Sequence, residues 1–100
     1  MPKNSWMDSL QGFRPVGAHS DGDTISSATV LVRPTGASKL LIQTVTQNVR
    51  MTLDGTTPAA GTGFQLIASD PPIVVFMEDE VTVTVIEESA TADLQYQWGN

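Results

Sequence analysis

The only side chain in this sequence suited to moving a proton near neutral pH is His19. It opens the run His19-Ser20-Asp21, which holds the three residue types of a hydrolytic triad. A triad works only when the base is fixed within hydrogen-bond reach of the nucleophile and oriented by its third member. Gly12, Pro15, Gly17 and Gly22 punctuate the stretch around His19 and leave no element to fix it. His19 therefore reads as an exposed loop histidine. Asp21-Gly22-Asp23 could offer carboxylates to calcium, but the twelfth position of an EF-hand loop begun at Asp21 is Val32, where a bidentate glutamate is required. The better reading is a turn. Glu78-Asp79-Glu80 places three acids side by side, whereas a glycosidase needs two carboxyls facing each other across a cleft. These acids read as a charged turn that discourages edge aggregation. Gly61-Thr62-Gly63 lacks the Gly-Lys-Ser/Thr ending and strand-to-helix setting of a phosphate loop. No catalytic residue, cofactor or metal is expected.

Size and charge narrow the remaining classes. A length of 100 residues suits one domain, and 40% apolar residues is an ordinary globular share. Such a chain buries roughly 60% of its extended surface. It is expected to be stable by about 5–10 kcal/mol, a margin that self-association would widen. There is no cysteine, so neither a disulfide framework nor a thiolate metal site is available. The first residues lack the apolar stretch of a signal peptide, and no apolar run is long enough to span a bilayer. A soluble chain with no membrane partner is expected. All five basic residues lie in the first half, and the second half holds eight acids with no Lys or Arg. That acidic half repels a phosphate backbone, so nucleic acid is not an expected partner.

The elements that would position any binding residue are strands. Residues 1–23 form an irregular arm in which Trp6, Met7, Leu10 and Phe13 recur at spacings of three and four. Large apolar residues on such an arm imply that it is tied down, either on its own core or on a neighbouring subunit. From residue 24 onward the pattern is strand and turn. Thr29–Arg33, Lys39–Thr46, Gln47–Leu53, Gly63–Ala68, Ile73–Met77 and Val81–Ile86 read as short strands, and Leu94, Tyr96 and Trp98 alternate in a last one. Asp54-Gly55 is a strong turn signal. Seven or eight such strands with no helix predict an all-β fold: a single small antiparallel β-sandwich, jelly-roll-like, over 24–100 with an extended arm over 1–23.

The run Gln47-Asn48-Val49-Arg50-Met51-Thr52-Leu53-Asp54-Gly55-Thr56-Thr57-Pro58, followed by Gly63-Phe64 and preceded by Ser38-Lys39-Leu40-Leu41-Ile42-Gln43, resembles small virion proteins of tailed bacteriophages and prophages. In those proteins a Leu-hydrophobic-Gln strand leads to a Gln-Asn-hydrophobic-Arg strand, an Asp-Gly-Thr-x-Pro turn and a Gly-Phe return. The match spans roughly residues 38–67, with a weaker strand, acidic turn, strand pattern beyond. It implies a head decoration or cement protein, a non-enzymatic structural protein on the capsid surface of the virion, made in the host cytoplasm. Its expected partners are the major capsid protein or other virion proteins, and a homo-oligomer, dimer or trimer, is expected.

The candidate partner-binding residues are Trp6, Met7, Leu10, Phe13 and Arg14 on the arm, and Asn48, Arg50, Asp54 and Thr56 on the strand and turn. Val49, Met51 and Leu53 should form the core face of that strand. The alternative is a carbohydrate- or receptor-binding β module of a tail fibre or spike, for which six aromatics are a thin supply.

Overall fold

The computed structural model describes residues 12–100, and its described residues form eight strands and no helix. In chain order these are β1 (Ser20–Ile25), β2 (Thr29–Leu31), β3 (Lys39–Thr44), β4 (Val49–Thr52), β5 (Phe64–Leu66), β6 (Ile73–Phe76), β7 (Val83–Glu87) and β8 (Ala92–Gly99). Two four-stranded antiparallel sheets result, ordered β1-β8-β3-β6 and β2-β7-β4-β5. The all-β sandwich expected from the turn spacing is the fold that forms.

The strand order has one cause. β1 pairs with β8, β2 with β7, β3 with β6 and β4 with β5. Thr24 lies opposite Asp93, Thr29 opposite Val85, Lys39 opposite Phe76 and Met51 opposite Phe64. The midpoint of each of these pairs falls within 57–59. The chain is thus one long hairpin folded back at the loop after Asp54, its strand pairs laid alternately into the two sheets. This is the jelly-roll wrap of two Greek keys. The pairings β3–β8 and β4–β7 then zip neighbouring turns of the wrap together.

Alternation decides which side chains fill the space between the sheets. In β3, Leu40, Ile42 and Thr44 are buried while their neighbours are half-exposed. Val49 and Met51 of β4, Val83 and Val85 of β7, and Leu94 and Trp98 of β8 complete the core with Ile25 and Leu31. The Thr44 hydroxyl, buried with them, donates to the Gln47 carbonyl at 2.5 Å, which removes the cost of an unpaired polar group there.

One feature departs from the sequence reading, and another bears on where the arm is tied down. Strand β1 begins at Ser20, inside the stretch read as arm, and accommodates its glycine by a register shift between Asp21 and Asp23. A segment so poor in β-forming residues is a strand because β8 is long enough to pair with it. The part of the arm just before it is also bound to its own sheet. Arg14 and Asn100 exchange backbone hydrogen bonds at 2.8 and 2.9 Å, and the Val16 amide donates to the Trp98 carbonyl at 2.8 Å. Phe13 covers Gly99, where an added Cβ would lie 2.4 Å from the phenyl ring. Phe13 and Arg14 therefore dock on the chain's own sheet. Trp6, Met7 and Leu10 lie outside the described residues.

Leu40 has no exposed surface, so Leu40→Ala is expected to cost about 2–5 kcal/mol. In urea the midpoint should fall with an unchanged slope. A loss below about 1 kcal/mol would show that this position is not part of a packed core.

Candidate functional site

The fold-back loop and the strands that carry it contain four of the candidate residues, and most of their polar groups are engaged within the domain. Arg50 projects from the outer face of β4. Its Nε donates to Glu88 Oε2 at 2.8 Å and its Nη1 to the Gly63 carbonyl at 3.1 Å. Gln65, directly opposite Arg50, donates to the same Glu88 oxygen at 2.8 Å. Asn48 Oδ1 accepts from the Ala68 amide at 2.9 Å. Asp54 Oδ1 accepts from the Thr56 amide at 3.0 Å, an Asx turn, and the Thr52 hydroxyl donates to the Thr56 carbonyl. Asn48 and Arg50, expected to be free for a partner, instead stitch β4 to β5 and to the end of β7. The loop they support is a fixed surface.

Gly63 is required for that stitching. Its φ is +112°, and a Cβ there would stand 2.9 Å from the Met51 carbonyl oxygen. The close approach lets the chain return from the loop directly against β4, which places the Gly63 carbonyl under Arg50.

His19 is exposed in the segment before β1, and Asp21 and Asp23 lie in β1 itself. Glu78, Asp79 and Glu80 are exposed in the turn between β6 and β7, which the Val81 amide closes on the Glu78 carbonyl at 3.1 Å. Among the described residues no group of three or more His, Cys, Asp or Glu is arranged to hold a metal ion.

A site that sequence reasoning missed lies at the edge where β5 and β6 end the two sheets. Phe64 and Leu66 stand opposite Met51 and Val49, both buried, so they share the core face of their sheet. Ile73 and Val75 stand opposite Ile42 and Leu40 and face the core from the other sheet. Yet Phe64 is 65% exposed and Ile73 39%. Core-facing side chains so open to solvent mean that the sandwich gapes along this edge. The gap is a cleft of about 790 Å³, with Ile42 and Met51 at its back and Gln43, Gln65 and Asp70 at its rim. Phe76, 59% exposed, adds an apolar lip on the outer face. A second hollow of about 510 Å³ continues from Met51 and Phe64 beneath the fold-back loop.

The available signal was the unbroken apolar run Ile73-Val74-Val75-Phe76, which reads as a strand buried on both faces. At an edge, that composition leaves apolar surface uncovered.

No protein-family model, curated protein or solved structure matches this chain.

Two variants test the geometry of the fold-back loop. Gly63→Ala is expected to lose about 1–3 kcal/mol, the usual cost of forcing a side chain into the left-handed region, measured by thermal unfolding. Full stability would show that the Met51 contact is not close. Glu88 is held below its ordinary value of 4.5 by hydrogen bonds from Gln65 and then Arg50. A carboxylate depressed in the folded state contributes stability above its unfolded value and loses it as pH falls through the folded one. Stability should therefore decline below pH 4.5, and Glu88→Gln should flatten that decline. An identical pH slope in the variant would contradict the network.

Proposed function

We propose that this chain is a non-enzymatic structural protein of a phage virion, a decoration or cement protein that binds the major capsid protein lattice. The observation that carries the reading is the open β5–β6 edge, a cleft walled by Phe64, Leu66, Ile73 and Val75. Contiguous exposed apolar surface of this kind marks interaction sites in soluble domains, and aromatic residues are the side chains that interface cores favour. The resemblance of Gln47–Phe64 to small virion proteins supplies the kind of partner. That segment is the hairpin tip, bounded by the cleft on one side and by the Arg50–Glu88 stitch on the other. An acidic second half suits a basic protein surface and disfavours nucleic acid. Self-association as a dimer or trimer would multiply such contacts on a repeating shell.

A sugar-binding role has one supporting feature, the pair Phe64 and Phe76 beside Gln43, Gln65 and Asp70. The walls between those polar groups are aliphatic, which favours a polypeptide over a hydroxyl-rich ligand.

Co-sedimentation with assembled shells of the major capsid protein encoded alongside the chain tests the proposal. The intact chain should pellet with the shells, and Phe64→Ser should weaken binding by about tenfold or more, the scale of losing one interface anchor. A chain that stays in the supernatant, or that binds a glycan array while ignoring shells, would overturn it.

A further inference from the structure

We propose that the open edge of β6 binds an extended segment of a partner protein as an added strand, one with apolar residues at alternate positions and Lys or Arg at both ends. The proposal rests on the reading of this chain as a protein-binding module and names the partner's chemistry at that site.

The backbone supplies the first reason. Among the described residues β6 ends its sheet and pairs only with β3. The Met77 amide, one residue beyond the strand, donates to the Ser38 carbonyl at 2.8 Å. In an antiparallel ladder, alternate residues turn their N–H and C=O groups to the same neighbour. Val75 and Ile73 therefore face β3 with Met77, and Val74 and Phe76 turn theirs to the open side. Natural edges are blunted by a charge, a proline or a bulge within the strand. β6 has none of these between Ile73 and Phe76.

The side chains supply the second. A strand laid beside β6 sends alternate residues to opposite faces. Those on the core side enter the cleft of about 790 Å³ between Phe64 and Val75. Those on the other side meet Val74 and the exposed ring of Phe76. Strand addition draws affinity from the main chain and specificity from such alternate pockets.

Charge selects the occupant. Asp70 precedes the strand, and Glu78, Asp79 and Glu80 follow it. Among the described residues the cations nearby are Arg33, which donates to the Met77 carbonyl at 3.0 Å, and Lys39, opposite Phe76 on β3. Pairing with β6 of a second copy would set acids beside acids in either orientation, a repulsive arrangement. The chain's own residues 1–11 place Trp6 and Met7 adjacent with Asp8 following, and lack the alternation. A separate segment with basic ends satisfies both the cleft and the acids.

The test uses the full chain and two labelled synthetic peptides of about seven residues, each alternating valine with threonine. One carries lysines at both ends, the other glutamates. Fluorescence anisotropy at low salt should show the lysine peptide binding at least about tenfold more tightly, with the preference shrinking as salt is added. Val74→Pro removes a backbone amide that points to the open side and none that serves β3, so the variant should fold with an unchanged circular dichroism spectrum and lose the peptide. Should that variant misfold, Phe64→Ser alters a largely exposed side chain and should weaken binding by about tenfold.

Equal binding of both peptides, or normal binding by Val74→Pro, overturns the proposal. So does binding seen only after residues 1–11 are deleted, which gives the edge to the chain's own segment. A concentration-dependent dimer dissolved by Val74→Pro overturns it in favour of a second copy. Shells separate the two levels: Val74→Pro that still pellets with capsids contradicts strand addition alone. A wild-type chain that takes the lysine peptide but no shell contradicts only the virion role.

Discussion

Everything in this fold follows from the register of one long hairpin. Because Thr24–Asp93, Lys39–Phe76 and Met51–Phe64 share nearly one midpoint, each strand's partner is settled by its distance from the fold-back loop. A slip of one residue would turn every inward side chain outward, so burial of Leu40, Val49, Val83 and Leu94 locks the whole ladder at once. The loop earns its rigidity locally, through the Asp54 Asx turn, the buried Pro58 and the glycine at 63 pressed against Met51. Arg50 then ties the returning strand to Glu88, so the tip is fixed to β7 as well as to β4.

That same wrap dictates where the molecule is left unfinished. A folded hairpin laid into two sheets ends each sheet twice, at β1 and β2 on one side and at β5 and β6 on the other. On the first side the Phe13–Val16 segment extends the pairing along β8, and a register shift breaks the regularity of β1. Val30 within β2 and Val32 just after it are exposed single residues on that side. On the second side the connecting loop Ile67–Pro72 crosses between the sheets without filling the space between them. It is anchored by the Ser69 amide on Thr44 and by Gln43 on Asp70, with Ser69 held at a φ of 73°. The apolar opening is thus a consequence of topology, and short strands make it wide.

The strands and the core were legible in the sequence because alternation is local: Val49, Met51 and Val83, Val85 announce their face within five residues. The Asp54-Gly55 turn was equally plain. Strand β1 was not, since Ser-Asp-Gly-Asp has no strand propensity and forms one only against β8. Nor was the role of Arg50. Alternation with Val49 and Met51 puts it on the outer face, but its partner Glu88 lies far along the chain and meets it only through the β4–β7 pairing. The cleft was hidden for the same reason. Phe64 and Ile73 look like ordinary core residues until the wrap places both on edge strands facing each other across a gap. Local pattern gives the face of a strand; long-range register gives its neighbours.

Amide hydrogen exchange across β6, in the free chain and on the assembled capsid shell, tests the central claim most directly. The account predicts that Val75 and Met77 are protected in both states, because their amides serve the ladder with β3. Val74 and Phe76 should exchange quickly in the free chain and become protected on the shell. Protection of Val74 and Phe76 in the free chain, or rapid exchange that persists on the shell, would contradict it.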